Sequence, residues 1–129
     1  KDNLIDVIVS DHIPEDEESK RLPFAQAATG AIGIETLLPL ALEMHHNESL
    51  PLNKIVETLT INPAKILQIN KGTLKKGSDG DICILDLDAP WIVKAENLKS
   101  KSKNTAIEGR KLQGKVLMTF LNGELVFNQ

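Results

Sequence analysis

An aspartate and a histidine stand side by side in "SDHIPEDEESKRLPF", residues 10–24, directly after the apolar run "LIDVIV". A carboxylate at the carboxyl end of a buried strand can ligate a metal ion or accept a proton from a nucleophilic water. Asp11 is therefore the leading candidate for chemistry, and the bland alternative is that it caps a turn. His12 would point away from Asp11 if the strand pleat continued, so it reads as an ordinary loop histidine or as a group supporting the site from behind. His45-His46 falls near a helix C-terminus, where a cation complements the dipole, and adjacent histidines on a helix do not share a face. Glu15 to Glu18 with Lys20 and Arg21 read as a solvated loop with local ion pairs. Asp79-Gly80-Asp81 lacks the further ligands of a calcium loop and reads as a turn before a strand. The chain has no phosphate loop, nucleophile elbow or Cys/His zinc pattern.

These side chains need elements to hold them. Residues 4–9 are mostly β-branched and apolar, the pattern of a strand buried on both faces in a parallel sheet. Residues 10–33 carry loop chemistry, with Pro14, Pro23, Gly30 and Gly33. Ile34, Leu37, Leu38, Ala41 and His45 then share a helical face, with Pro39 tolerable only near the first turn or at a kink. A second helix is signalled by Pro51, Leu52, Ile55, Val56 and Leu59. A third follows Asn62 as N-cap and Pro63 as first residue. After Gly72 the period changes. "DICILDL" (81–87) and "WIV" (91–93) read as strands, and "GKVLMTFLNGELVFNQ" as a hairpin turning at Asn122-Gly123. About four strands of this kind are too few to close on themselves, and a lone parallel-type strand has no neighbour in the helical half.

The bulk numbers agree with a single ordinary domain core. The chain has 129 residues, 41% hydrophobic and 26% charged, with net charge −3. Scattered Lys and Arg with 3% aromatic residues argue against nucleic acid as a partner. No apolar run approaches the ~20 residues of a membrane-spanning helix. One cysteine, Cys83, allows no internal disulfide and fits a reducing cytoplasm. The chain starts with Lys and enters a strand within a few residues, so it reads as a piece of something longer.

Several stretches in order resemble the C-terminal part of dihydroorotase, within the metal-dependent amidohydrolase superfamily. They are "VIVSDHIP", "AATGAIGIETLLPLAL", "LTINPAKIL", "GTLKKGSDGDICILDLD", and "KSKNTAIEGRKLQGKV" followed by "NGELVF". The form of the Asp-His segment is most similar to a bacterial branch of single-chain dihydroorotases. The resemblance implies an α/β fold in which residues 1–70 supply the last strand and C-terminal helices of a TIM-type (β/α)8 barrel. Residues 71–129 would supply the C-terminal portion of a composite β-sandwich. It implies zinc, as one or two ions whose remaining ligands lie upstream of this segment, and the reversible cyclisation of N-carbamoyl-L-aspartate to dihydroorotate in pyrimidine biosynthesis.

Under that resemblance Asp11 is both metal ligand and proton shuttle. Gly30 falls at the family's substrate-contacting glycine, where a bare N–H can approach a ligand. Glu15 occupies the position of the family's substrate-binding histidine, and an ionised carboxylate cannot donate to an acidic substrate. Lys20 or Arg21 would then take over that contact, or substrate would bind weakly. Hydantoinase and allantoinase share the strand-end aspartate and are the neighbouring activities. A different class of reading is a non-catalytic homologue that scaffolds aspartate transcarbamoylase. A homodimer and the upstream part of the same protein are the other expected partners.

Overall fold

The computed structural model describes residues 4–129. Helices occupy the first half: α1 (Glu17–Arg21), α2 (Leu37–His46), α3 (Leu52–Leu59) and α4 (Ile61–Ile66). A three-stranded antiparallel sheet follows, in the order β1 (Ile82–Ile92), β2 (Lys111–Leu121), β3 (Glu124–Asn128). Among the described residues no helix is long and apolar enough to cross a membrane.

The expected strand over residues 4–9 carries no ladder. A strand exists only by its neighbour's hydrogen bonds, and no described segment lies alongside to supply them. Leu4, Ile5 and Val9 are 85%, 71% and 70% exposed. Two tethers hold this stretch: the Ile8 amide donates to Thr58 O at 3.2 Å, and Asn62 Nδ2 donates to Asp6 O at 2.9 Å. Asn62 is thus no N-cap. α4 starts two residues earlier, at Ile61 after Thr60, which leaves the Asn62 side chain for the long-range contact and Pro63 within the first turn, where no intrahelical donor is required.

β1 is one strand where the sequence suggested two. Its register slips between Asp86 and Pro90, and the Asp86 carboxylate accepts the Asp88 and Ala89 amides there, each at 3.0 Å. The bulge accommodates Pro90, which has no amide to give to a ladder. The sheet therefore has three strands, against about four expected. The segment "KSKNTAIEG", grouped by resemblance with the closing sandwich strands, is a loop, and β2 begins only at Lys111. Asn122 and Gly123 turn the β2–β3 hairpin with φ of 51° and 82°, the positive angles of a tight hairpin turn.

The two halves share one core. Ile32, before α2, packs with Val93, Leu98 and Leu112, and Leu40, Trp91 and Ile107 surround them. α2 lies on β2 at Gly114, where an added Cβ would meet Leu42 Cδ1 at 2.5 Å. The Trp91 indole donates to Gly114 O at 3.1 Å, and Arg110 pairs with Glu43 at 2.7 Å across the same contact. Outside this seam much apolar surface is bare. The chain exposes 9329 Å², whereas a folded monomer of this mass exposes about 6,800 Å².

Two outcomes are expected. Gly114→Val adds a branched side chain where φ is 105° and Leu42 already occupies the space. It should lower stability by about 1–3 kcal/mol in chemical denaturation, and an unchanged midpoint would contradict this packing. The second concerns the clasp at the hairpin. The Asn122 amide donates to Asp81 at 2.8 Å, and Lys71 bridges Asp79 and Asp81 at 2.6 and 2.5 Å. The Asn122 bond, followed by the Lys71 ammonium, holds Asp81 below the ordinary aspartate value of 3.8, and the two carboxylates hold Lys71 above 10.5. A lowered folded-state carboxyl value contributes stability above the unfolded value and loses it as pH falls through the folded one. The Asn122 amide resonance should therefore titrate only below pH 3.8, and one that moves above it would count against the clasp.

Candidate active-site loop

Asp11 sits where the chain leaves its apolar stretch, with φ of 44°. Aspartate is among the few residues that adopt this left-handed conformation at modest cost. Its carboxylate is exposed, and no described group hydrogen-bonds to it. Other aspartates are occupied by local structure. Asp16 caps α1 by accepting the Ser19 amide at 2.8 Å, a bond that lowers its pKa. Asp81 and Asp86 accept the amides already described. Asp11 alone of these four lies open.

His12 faces backward. Its Nδ1 accepts the Gly33 amide at 3.0 Å, with the Ile34 amide at 3.4 Å, which leaves the neutral ring's proton on Nε2. A parallel bridge pairs His12 with Ala31, and the Ile13 amide donates to Ala31 O at 3.0 Å. The end of the strand-like stretch is thereby set beside Gly30. Glycine is required there: φ is 119°, and a Cβ would lie 2.7–2.8 Å from Ile13 atoms.

The loop between these points contains α1, a single turn too short to show periodicity. Its cations divide. Arg21 turns outward to Glu17, and to Glu18 at 3.4 Å. Lys20 turns inward, donating to Ala28 O at 2.6 Å and Gly30 O at 2.7 Å. Glu15 and Lys20 line an open cavity of about 610 Å³ whose opposite wall is Lys101, Ser102, Lys103 and Asn104. Arg21 is not among its lining residues.

That opposite wall is what the sequence reading missed. Ser102 Oγ donates to Glu15 O at 2.6 Å, Asn104 Nδ2 donates to Gly30 O at 3.1 Å, and the Ile32 amide donates to Asn104 O at 3.1 Å. The Glu35 carboxylate accepts the Lys99 and Ser100 amides at 2.9 and 3.0 Å. The signal available was "KSKNT" itself, since Ser and Asn are loop-bonding residues.

His45 and His46 lie elsewhere, at the C-terminal end of α2. His46 Nε2 is 3.8 Å from Asp88 Oδ1 and has no hydrogen-bond partner. Among the described residues no three His, Cys, Asp or Glu side chains gather to hold a metal ion. Asp16, Glu17 and Glu18 on the loop are also exposed but are engaged by Ser19 and Arg21, whereas Asp11 has no such partner among the described residues.

One outcome follows from the geometry at Gly30. Gly30→Ala should push Ile13 away from Ala31 and raise the exchange rate of the Ile13 amide by about 10-fold or more, the effect of ~1.4 kcal/mol of local strain. Unaltered exchange would show that the close approach is not needed.

A model of the amidohydrolase family matches residues 1–126. The chain is 43% identical over 127 residues to the dihydroorotase of Ehrlichia chaffeensis, covering 98% of this chain and 28% of that protein. It is 42% identical over 130 residues to the dihydroorotase of Acetivibrio thermocellus, covering 100% of this chain and 30% of that one. Among solved structures, D-hydantoinase from a Bacillus sp. AR9 superposes with a TM-score of 0.91 at 26% identity, over 99% of this chain and 29% of that chain. The chain therefore spans under a third of the length of these relatives. By the family match over residues 1–126, nearly its whole length, this chain belongs to the amidohydrolase family.

Proposed function

We propose that this chain is the C-terminal part of a dihydroorotase, and that Asp11 is its catalytic carboxylate. The observation that carries the reading is the Asp11 side chain itself, exposed and taken by no turn or cap. The sequence relatives name the activity, and the excess of apolar surface fits a chain whose neighbours complete a barrel around residues 1–70 and a sandwich around residues 71–129. In this arrangement residues 4–9 gain flanking strands, and the bare Leu4, Ile5 and Val9 become core.

The chemistry is the reversible closure of N-carbamoyl-L-aspartate, in which the carbamoyl nitrogen attacks the side-chain carboxyl carbon and water leaves. In the ring-opening direction Asp11 accepts the proton of the attacking water and passes it to the departing ring nitrogen. A carboxylate suits this step because it stays anionic beside a cation and still takes a proton transiently. Zinc, held by Asp11 and by ligands from the rest of the protein, would supply polarisation of the carbonyl. The His12–Ala31 bridge links the residues next to Asp11 and Gly30, which supports a substrate contact by the Gly30 backbone. Glu15 and Lys20 both border the adjacent cavity, where a cation suits the entry of the substrate's carboxylates. Arg21, paired on the outer side of α1, would reach substrate only after leaving Glu17 and Glu18. This reaction belongs to pyrimidine synthesis in the cytoplasm.

A second reading rests on Glu15, an acid where the family's substrate histidine stands. It makes the protein a non-catalytic scaffold, and the same experiment separates the two. In the intact protein, Asp11→Asn should lower kcat by ~10²–10⁴-fold, the usual contribution of a general base. Glu15→Ala should move KM more than kcat. Wild-type protein without turnover would favour the scaffold. Turnover that survives Asp11→Asn within about threefold, well below that range, would remove Asp11 from the chemistry.

A further inference from the structure

We propose that Ser102 and Asn104, carried by the loop between β1 and β2, are positioning residues that fix the shape of the substrate loop beside Asp11. This rests on the dihydroorotase reading above and goes beyond it, since it assigns a role in substrate affinity to residues remote in sequence from that loop.

The substrate loop runs from Ile13 to Ala31 and is gripped at both ends from one short segment. Ser102 Oγ lies within hydrogen-bond reach of both Glu15 O and Asn104 Oδ1, and its single proton serves one of these two acceptors at a time. Asn104 Nδ2 donates to Gly30 O at 3.1 Å. The two side chains thus stand against each other, Ser102 reaching Glu15 and Asn104 bonded to Gly30, the two residues that bracket α1. The Gly30 carbonyl takes a second donor, Lys20 Nζ. With both lone pairs engaged the Gly30–Ala31 peptide has one orientation, and so has the backbone that borders Asp11.

The segment that does the gripping is itself immobilised. Leu98 is 5% exposed within the shared core, and Lys103 Nζ donates to Leu98 O at 2.5 Å. The Glu35 carboxylate accepts the Lys99 and Ser100 amides in charge-assisted bonds. Rigidity therefore passes from the core through residues 98–104 to a loop that has little apolar anchoring of its own: Leu22 and Phe24 are 48% and 100% exposed. Binding to a loop held in its productive conformation avoids the cost of ordering it. Removing the clamp should therefore appear in affinity rather than in the chemical step.

The test uses Asn104→Ala and Ser102→Ala in the intact protein, with Ser102→Thr as the conservative rescue. The backbone bond from the Ile32 amide to Asn104 O survives both alanine variants, so the seam is retained. Two readouts are needed. Hydrogen exchange of residues 13–31 should accelerate ~10-fold, and KM for dihydroorotate should rise ~5–10-fold with kcat within about twofold, as the loss of one or two hydrogen bonds predicts. Ser102→Thr should restore both. Unchanged exchange in that segment for both alanine variants would overturn the clamp. Faster exchange with an unmoved KM would overturn its role in positioning. If wild-type protein shows no turnover, the activity reading fails and takes the positioning role with it, while exchange still decides whether the clamp exists.

Discussion

The candidate site depends on one seam, the packing of Ile32 against Val93, Leu98 and Leu112. Ile32 is the first buried residue among those described, and it lies directly after the loop that carries Gly30. Burying an aliphatic side chain stabilises by about 1.5–3 kcal/mol, enough to fix the end of that loop and no more. Polar bonds supply the rest: Asn104 to Gly30 and Ile32, Glu35 to residues 99 and 100, Lys20 to Ala28 and Gly30. A small core thus decides where the loop ends, and hydrogen bonds decide its path. Each helps hold Gly30 beside the bridge that sets Asp11.

The same ledger of burial explains what the chain lacks. Its three largest fully buried side chains are Leu42, Ile55 and Val93. Against these stand bare aliphatic residues in the first stretch, and Ile82, Ile84, Leu125 and Val126 on the sheet. Contiguous apolar surface of this extent is normally an interface. A barrel closing over residues 4–9 and strands extending the sheet would cover both regions, which is why the division into two contributions, rather than a self-contained small domain, remains the reading proposed for residues 1–70 and 71–129.

Much of the local structure was legible because it follows from short-range chemistry. The existence of α2 and α3, Pro51 at a helix entry and Asn122-Gly123 at a hairpin turn are all of that kind, although α2 buries Pro39, Ala41 and Leu42 and leaves Ile34, expected on its face, outside the helix and exposed. What escaped was governed at long range. Asn62 has the composition of a cap, yet Asp6, 56 residues away, takes its amide. The Asp86 carboxylate folds a bulge into β1 and makes one strand of two apparent ones. The β-branched pattern of residues 4–9 suggests a strand, but no described segment pairs with that stretch and it forms none. Asp11 could be singled out because an aspartate directly after an apolar β-branched run is a local signal. Ser102 and Asn104 were not, because their partners are 87 and 74 residues distant.

The central claim is that Asp11 is open because chemistry uses it. The most direct measurement is an experimental structure of the intact protein with N-carbamoyl-L-aspartate or dihydroorotate bound. The account predicts the Asp11 carboxylate within ~3.2 Å of the reacting carbonyl, nitrogen or its attacking water, with the Gly30 backbone bordering the ligand. A ligand bound away from this loop, or an Asp11 carboxylate turned back onto its own backbone amides, would contradict it.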